Sequence, residues 1–154
     1  MADIGNGYVG GEAKFYYNSA TYGSPTWVLI ENCEDLDVAD SRTEVETKVR
    51  SQWPIIGHLV GGRKIALTWN GLKTKLTTDS VTTALITAYE NGTVTEFAVA
   101  DATIATTGTK YRRMISVLSK ADESQPIDSP VGVAFAAVPA LNNSGNAPSR
   151  ATVA

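Results

Sequence analysis

The chain has 154 residues, 43% of them hydrophobic and 19% charged, with a formal net charge of −3 and a single cysteine. This length supports one domain with a core of its own, and the composition is that of a globular rather than a disordered chain. A lone Cys33 excludes an internal disulfide framework, and the slight acidic excess argues against tight nucleic-acid binding, which needs clustered Lys and Arg.

The first residues, Met1 to Asn6, have neither a basic nor an apolar region of the secretory kind, so synthesis and folding in the cytoplasm are expected. No apolar run approaches the ~20 residues that span a bilayer, so no membrane role is expected. Ala13 to Tyr17 is aromatic-rich and predicts a first strand, ending in the turn-prone Asn18-Ser19-Ala20. Trp27 to Ile30 follows Gly23-Ser24-Pro25 and predicts a second. From Asp35 to Val38 acids alternate with aliphatics. After Ala39-Asp40-Ser41-Arg42 the alternation resumes from Thr43 to Arg50, with Glu44, Glu46, Lys48 and Arg50 on one face. Apolar residues fall on even numbers before residue 40 and on odd numbers after it. Because a one-residue slip exchanges the faces of a strand, a bulge or turn is expected between.

Residues 51–62 place large apolar side chains between turn formers. They predict a long hairpin loop over about 50–63 whose flanks pair, with Gly61-Gly62 restarting the chain. Lys64 to Trp69 alternates again, and Ile65, Leu67 and Trp69 share a side. One helix is predicted over about 79–91, with Asp79 as N-cap, an apolar stripe of Val81, Leu85, Ile86 and Tyr89, and Gly92 as the stop. Three strands follow, over Val94 to Val99, Tyr111 to Ser119 and Val131 to Val138, with Pro126 and Pro130 bracketing the last loop. The fold class expected is mainly β: an antiparallel β-sandwich or partly closed β-barrel with one flanking α-helix. A single domain over 1–140 precedes a small, polar segment over 141–154, expected to be a flexible C-terminal tail.

Signals for chemistry are sparse. His58 is the only histidine, which excludes a multi-histidine zinc site, and Cys33 reads as a small apolar residue beside a strand. No G-x-S-x-G elbow occurs, and Gly57 to Lys64 lacks the spacing and the helix of a phosphate loop. The carboxylate pairs Asp35/Asp37 and Glu44/Glu46 read as solvated strand faces rather than acid–base catalysts. No catalytic, cofactor or metal residues are assigned, no cofactor is expected, and an enzyme is not expected.

The succession of elements resembles the phage major tail (tail tube) proteins. Four stretches carry the likeness: the aromatic strand at Ala13 to Tyr17 with the segment Ile30 to Val38; the charged strand Thr43 to Arg50 opening a long loop; Ile65 to Leu76 before the helix; and Tyr111 to Ser119 followed by Pro126 to Val131 and a terminal strand. The resemblance covers about residues 10–140 and rests on order rather than on any unique motif. It implies a virion structural protein made in the bacterial host cytoplasm, joined into six-fold rings that stack into a hollow tube for DNA passage. Its implied partners are copies of itself, the tape measure, the tail terminator and baseplate or tail-tip proteins; double-stranded DNA passes through without specific binding. By position, Trp53, Pro54, Ile55, Ile56 and Leu59 become candidate inter-subunit loop residues. Asp35, Asp37, Glu44 and Glu46 become candidate lumen-facing acids, and Lys48 and Arg50 candidate basic partners across subunits. Two alternatives stay open: another virion component, such as a head–tail connector or decoration protein, and a carbohydrate- or surface-binding β-sandwich module presenting Tyr16, Tyr22 and Trp27.

Overall fold

The computed structural model describes residues 13–48, 50, 54, 56–72, 80–129, 131–140 and 149–154. Eight strands and one helix follow in the order β1 (Lys14–Asn18), β2 (Trp27–Leu29), β3 (Cys33–Lys48), β4 (Ile56–Leu72), α1 (Ser80–Asn91), β5 (Val94–Ala100), β6 (Lys110–Ser124), β7 (Gly132–Pro139) and β8 (Ser149–Thr152). They form one antiparallel sheet in the order β2-β1-β5-β6-β7-β4-β3, with β8 paired to β6.

The two ends of this path are neighbours in sequence. β2 ends at Leu29 and β3 begins at Cys33, and a link that short reaches only ~14 Å. The sheet must therefore roll until its outer strands face one another. The Ile30 N–H donates to the Phe15 carbonyl and the Leu72 N–H donates to the Asn32 carbonyl, both at 2.9 Å, tying the link to each side. The result is the expected mainly β, sandwich-like architecture, an open roll rather than a closed barrel.

Alternation supplies the core. Phe15, Phe97, Met114, Leu118, Phe135 and Trp69 project into the roll from five strands and are all buried. Trp69 meets Phe15 edge-on at 4.9 Å and Phe97 at 5.4 Å, and stacks on Phe135 at 5.2 Å. Aromatic pairs of this kind contribute ~0.5–1.5 kcal/mol each beyond their area burial. A register shift between Leu118 and Lys120 lets both Leu118 and Ala121 face the core. Helix α1 lays Val81, Leu85 and Ile86 against the same core, as its spacing predicts, although Tyr89 stays exposed. The helix stops where expected. Gly92 takes φ 61°, its N–H reaches the Tyr89 carbonyl at 3.2 Å, and the Thr93 N–H reaches the Ala88 carbonyl at 2.9 Å. These two hydrogen bonds, donated by the left-handed Gly92 and by Thr93, make a Schellman stop. The proposed cap Asp79 lies outside the described residues.

Two expectations change. The long loop over 50–63 is shorter than predicted, because Ile56 to Arg63 belong to β4 and Gly61-Gly62 do not interrupt it. The strand passes through both glycines as a bulge, between the pairs Arg42↔Arg63 and Glu44↔Val60. In addition, the segment expected as a flexible tail over 141–154 carries β8, whose residues pair with Lys110 to Arg113 of β6.

Candidate assembly surface

The inner ends of β3 and β4 are part of the sheet; their outer halves are not. β4 pairs with β7 only through Leu67 to Leu72, whereas its pairing with β3 continues from Gly71 out to Ile56. Residues Arg42 to Lys48 and Ile56 to Arg63 thus form a two-stranded arm whose only described sheet partners are each other. The side-chain burial agrees: β3 is exposed from Ala39 onward except at Thr47, and β4 is exposed or half-buried from Ile56 to Lys64.

The expected irregularity before the arm is present, but on the other strand. Between the pairs Arg42↔Arg63 and Glu44↔Val60, β3 advances two residues and β4 three. The extra residue lies at Gly61-Gly62, opposite Thr43. A side chain on Gly61 would stand 3.3 Å from the Thr43 carbonyl oxygen, so glycine permits the close approach. A second bulge, between Glu34 and Asp37, lies on β3 and holds Asp35 at φ 51°. Since β3 itself alternates without a break through residues 37–48, its apolar residues change sides at the arm: Val38 faces the core and Val45 the opposite way.

Cross-strand pairing defines the arm's two faces. On one, Glu44, Glu46 and Lys48 stand opposite Val60, His58 and Ile56; on the other, Val45 and Thr47 stand opposite Leu59 and Gly57. Val45, Ile56, Leu59 and Val60 are 54%, 46%, 62% and 59% exposed, so each face carries two large apolar side chains open to solvent. Of the five candidate loop residues, Ile56 and Leu59 lie on the arm and Pro54 is exposed at its end; Trp53 and Ile55 lie outside the described residues. The four candidate acids are exposed but do not share one face. Asp37 pairs with Thr68 on the outer side of the sheet, while Glu44 and Glu46 lie on the side that continues the core face. Lys48 already reaches Glu46 of its own strand at 3.4 Å, and Arg50 is exposed beyond the strand end.

At the base of the arm, Asp40 accepts two hydrogen bonds from Arg63, at 2.8 Å from Nε and 2.5 Å from Nη2, and Arg112 of β6 approaches it to 3.8 Å. The Arg63 fork holds the Asp40 carboxyl below the usual aspartate range, with Arg112 and Arg150 adding to the effect. The sequence places Asp40 in a suspected turn; it is instead the carboxylate on which three strands' arginines converge.

A second ionic group lies on the outer face of β5 and β6. Glu96 and Arg113 form a buried pair, their side chains 7% and 15% exposed. Asn18 donates to Glu96 at 3.2 Å, and the Arg113 Nη2 donates to the Tyr22 carbonyl at 2.9 Å. The Arg113 guanidinium lies 4.0 Å from the Tyr22 ring centroid and 5.5 Å from that of Trp27. Burial opposes the charge on Arg113, but the bond to Glu96 together with the charge interactions with Glu96, Tyr22 and Tyr111 outweighs this and raises its pKa. This corrects the exposed aromatic platform of the carbohydrate-binding alternative. Tyr16 is buried, and Tyr22 and Trp27 are occupied by Arg113 of their own chain. Burial and the neighbouring Asp35 and Glu34 push the Cys33 thiol up to about 11, as befits a packed, unreactive cysteine. Among the described residues, no three His, Cys, Asp or Glu side chains converge in a metal-binding group.

Several solved structures share this architecture. A chain in the tail of an empty gene transfer agent particle, refined helically with C6 symmetry, matches 95% of this chain and 100% of its own length, with a TM-score of 0.72 and 15% identity. The SPP1 tail tube protein matches 94% of this chain and 78% of its own, at a TM-score of 0.64 and 12% identity. The fold is that of phage tail tube proteins. A component of the anti-feeding prophage baseplate has it as well, covering 92% of this chain at a TM-score of 0.56 and 5% identity. No protein-family model matches the sequence, and no curated protein does. At such identities it is the backbone path that is shared. The tail-tube fold thus persists here on a core of Trp69, Phe15, Phe97 and Phe135 assembled by alternation.

Proposed function

We propose that this protein is the structural subunit of a virion tail tube, joining copies of itself into stacked six-fold rings around a conduit for DNA. The observation that carries the reading is the arm: a two-stranded ribbon beyond the core, with large apolar side chains open on both faces. Isolated two-stranded ribbons are marginal in water, and contiguous exposed apolar groups mark an interface. A neighbouring subunit that covers Val45 and Leu59 on one side, or Ile56 and Val60 on the other, supplies what the monomer lacks. The tail-tube fold and the six-fold symmetry of the similar particle tail support the same reading.

In this assembly Pro54, Ile56 and Leu59, with Trp53 and Ile55 beside them, contact a neighbour, and Lys48 and Arg50 contribute charge near the contact. Glu44 and Glu46 on one side of the ribbon, or Asp35 and Asp37 nearer the start of β3, line the lumen. Inward carboxylates repel phosphate over the ~8 Å Debye length at physiological salt. The tape measure, tail terminator and tail-tip or baseplate proteins are the further partners, and the protein is located in the virion tail. The domain over 1–140 forms the tube wall.

Negative-stain electron microscopy of concentrated protein tests this proposal. Rings or tubes are expected, and they should disappear in a Val45→Asp/Leu59→Asp variant whose melting temperature matches the parent, because both side chains are already exposed in the subunit. Persistent monomers at all concentrations refute the assignment.

A further inference from the structure

The long strand β6 has opposite charges at its two ends. At its start, Lys110 and Arg112 pair with Thr152 and Arg150 of β8, so Lys110, Arg112 and Arg150 share the inner face with Arg63 and Asp40 of the arm base. Asp40 and Asp101 are the carboxylates there. Arg63 holds the first, and the second accepts the Lys110 backbone N–H at 3.0 Å. Both carboxylates are thus already engaged, with these cations on the same face. Beside Asp101, Lys110, Arg112 and Arg150 opens a cavity of about 620 Å³, whose wall also includes the apolar Val38 and Val99.

At the other end of β6, ~33 Å away by strand rise between Arg112 and Asp122, the β6–β7 turn presents the reverse chemistry. Asp122 and Glu123 lead into it, and at its tip Ile127 is 99% exposed beside Asp128. An isoleucine extended fully into water next to an aspartate is the complement of a cavity with apolar walls and a cationic rim.

We propose that the Ile127-Asp128 tip of one copy of this chain inserts into the mouth formed by Lys110, Arg112 and Arg150 of the next. Ile127 meets Val38 and Val99, and Asp128 meets the arginines. This deepens the tail-tube reading and rests on it. The contact uses two different surfaces on the molecule, so it is head to tail, and it closes a ring or extends as a stack according to the rotation between copies. Because the two surfaces lie at opposite ends of one long strand, we assign it to ring stacking, while the arm serves contacts within or between rings. Burial of Ile127 supplies affinity, and the charges set register and a dependence on salt.

The test uses full-length chains in a Cys33→Ser background, one carrying Ser129→Cys beside the intact Ile127-Asp128 tip and another Thr152→Cys, mixed at high concentration and treated with a short bismaleimide. The mixture is expected to give a covalent heterodimer, and neither chain alone a covalent product. Adding Asp128→Lys to the first chain should lower the yield roughly tenfold, as for a close interfacial charge pair, and Arg150→Glu in its partner should restore it. Tubes seen by microscopy without the heterodimer overturn this contact and leave the tail-tube reading intact. Absence of both tubes and heterodimer overturns the two together. An Asp128→Lys chain that couples as well as the parent overturns the charge pairing.

Discussion

Replacing Arg113 with methionine isolates the buried ion pair from everything else in the fold. Methionine keeps most of the aliphatic stem and removes the guanidinium. Glu96, 7% exposed, would then keep only the Asn18 amide as partner among the bonds described above. Breaking a buried pair from one side costs ~3–5 kcal/mol, because the surviving charge is left in a poorly solvating site. Loss of the bond to the Tyr22 carbonyl and of the cation–π contact at 4.0 Å is included in that range. For a domain of this size each kcal/mol shifts the melting temperature by ~2–4 °C, so Arg113→Met should lower it by about 6–20 °C. Urea unfolding gives the free energy directly, and the double variant Glu96→Gln/Arg113→Met should recover part of the loss. A loss under ~1 kcal/mol at neutral pH would refute the argument that this pair is desolvated.

Asp40→Asn should weaken the arm base, as read by hydrogen exchange of the Arg42 and Arg63 amides. The Asp40 pKa is lowered by Arg63, so its contribution is present above the ordinary aspartate range and is lost as pH falls through the lowered value; parent and variant should converge in strong acid. Ser116→Ala should raise the melting temperature by a few degrees, because the Ser116 hydroxyl is buried with no hydrogen-bond partner among the described residues and such a group costs ~1–3 kcal/mol. Gly92→Ala should cost ~1 kcal/mol in urea unfolding, since φ 61° is strained for any residue with a Cβ. Cys33 should react with iodoacetamide at pH 8 about a hundredfold more slowly than an ordinary thiol, because a pKa of about 11 leaves so little thiolate.

The parts of this fold that were legible in the sequence are those set by local rules. The helix over 79–91 and its glycine stop appear as Ser80–Asn91 and Gly92, because an apolar stripe and a left-handed terminator are both short-range signals. Strand alternation likewise foretold the inward set Ile65, Leu67 and Trp69. The arm was half legible: its charged strand was readable, but Gly61-Gly62 looked like an interruption, and only the pairing on either side shows that the two glycines form a one-residue bulge within a continuous strand. The cationic mouth was not legible at all. Arg63, Arg112 and Arg150 are widely separated in the chain, and β8 is four residues in a small, polar stretch with too few alternations to announce a strand. Arg113 with Tyr22 and Trp27 was hidden for the same reason: the aromatics looked free until a residue about ninety positions away was seen to cover them.

Because the arm's strands bond chiefly to each other beyond Arg63, its length is uncoupled from the interior. Inserting or deleting a cross-strand pair there changes its reach by ~3.4 Å per residue without moving Trp69 or any of its neighbours. Removing a single residue from one strand only would turn that strand's distal side chains, Val45 on β3 or Leu59 on β4, to the opposite face and separate the pair. Lineages carrying this architecture are thus free to lengthen or trim the projection in even steps, and the dimensions of whatever it helps build can drift while the body of the subunit stays the same.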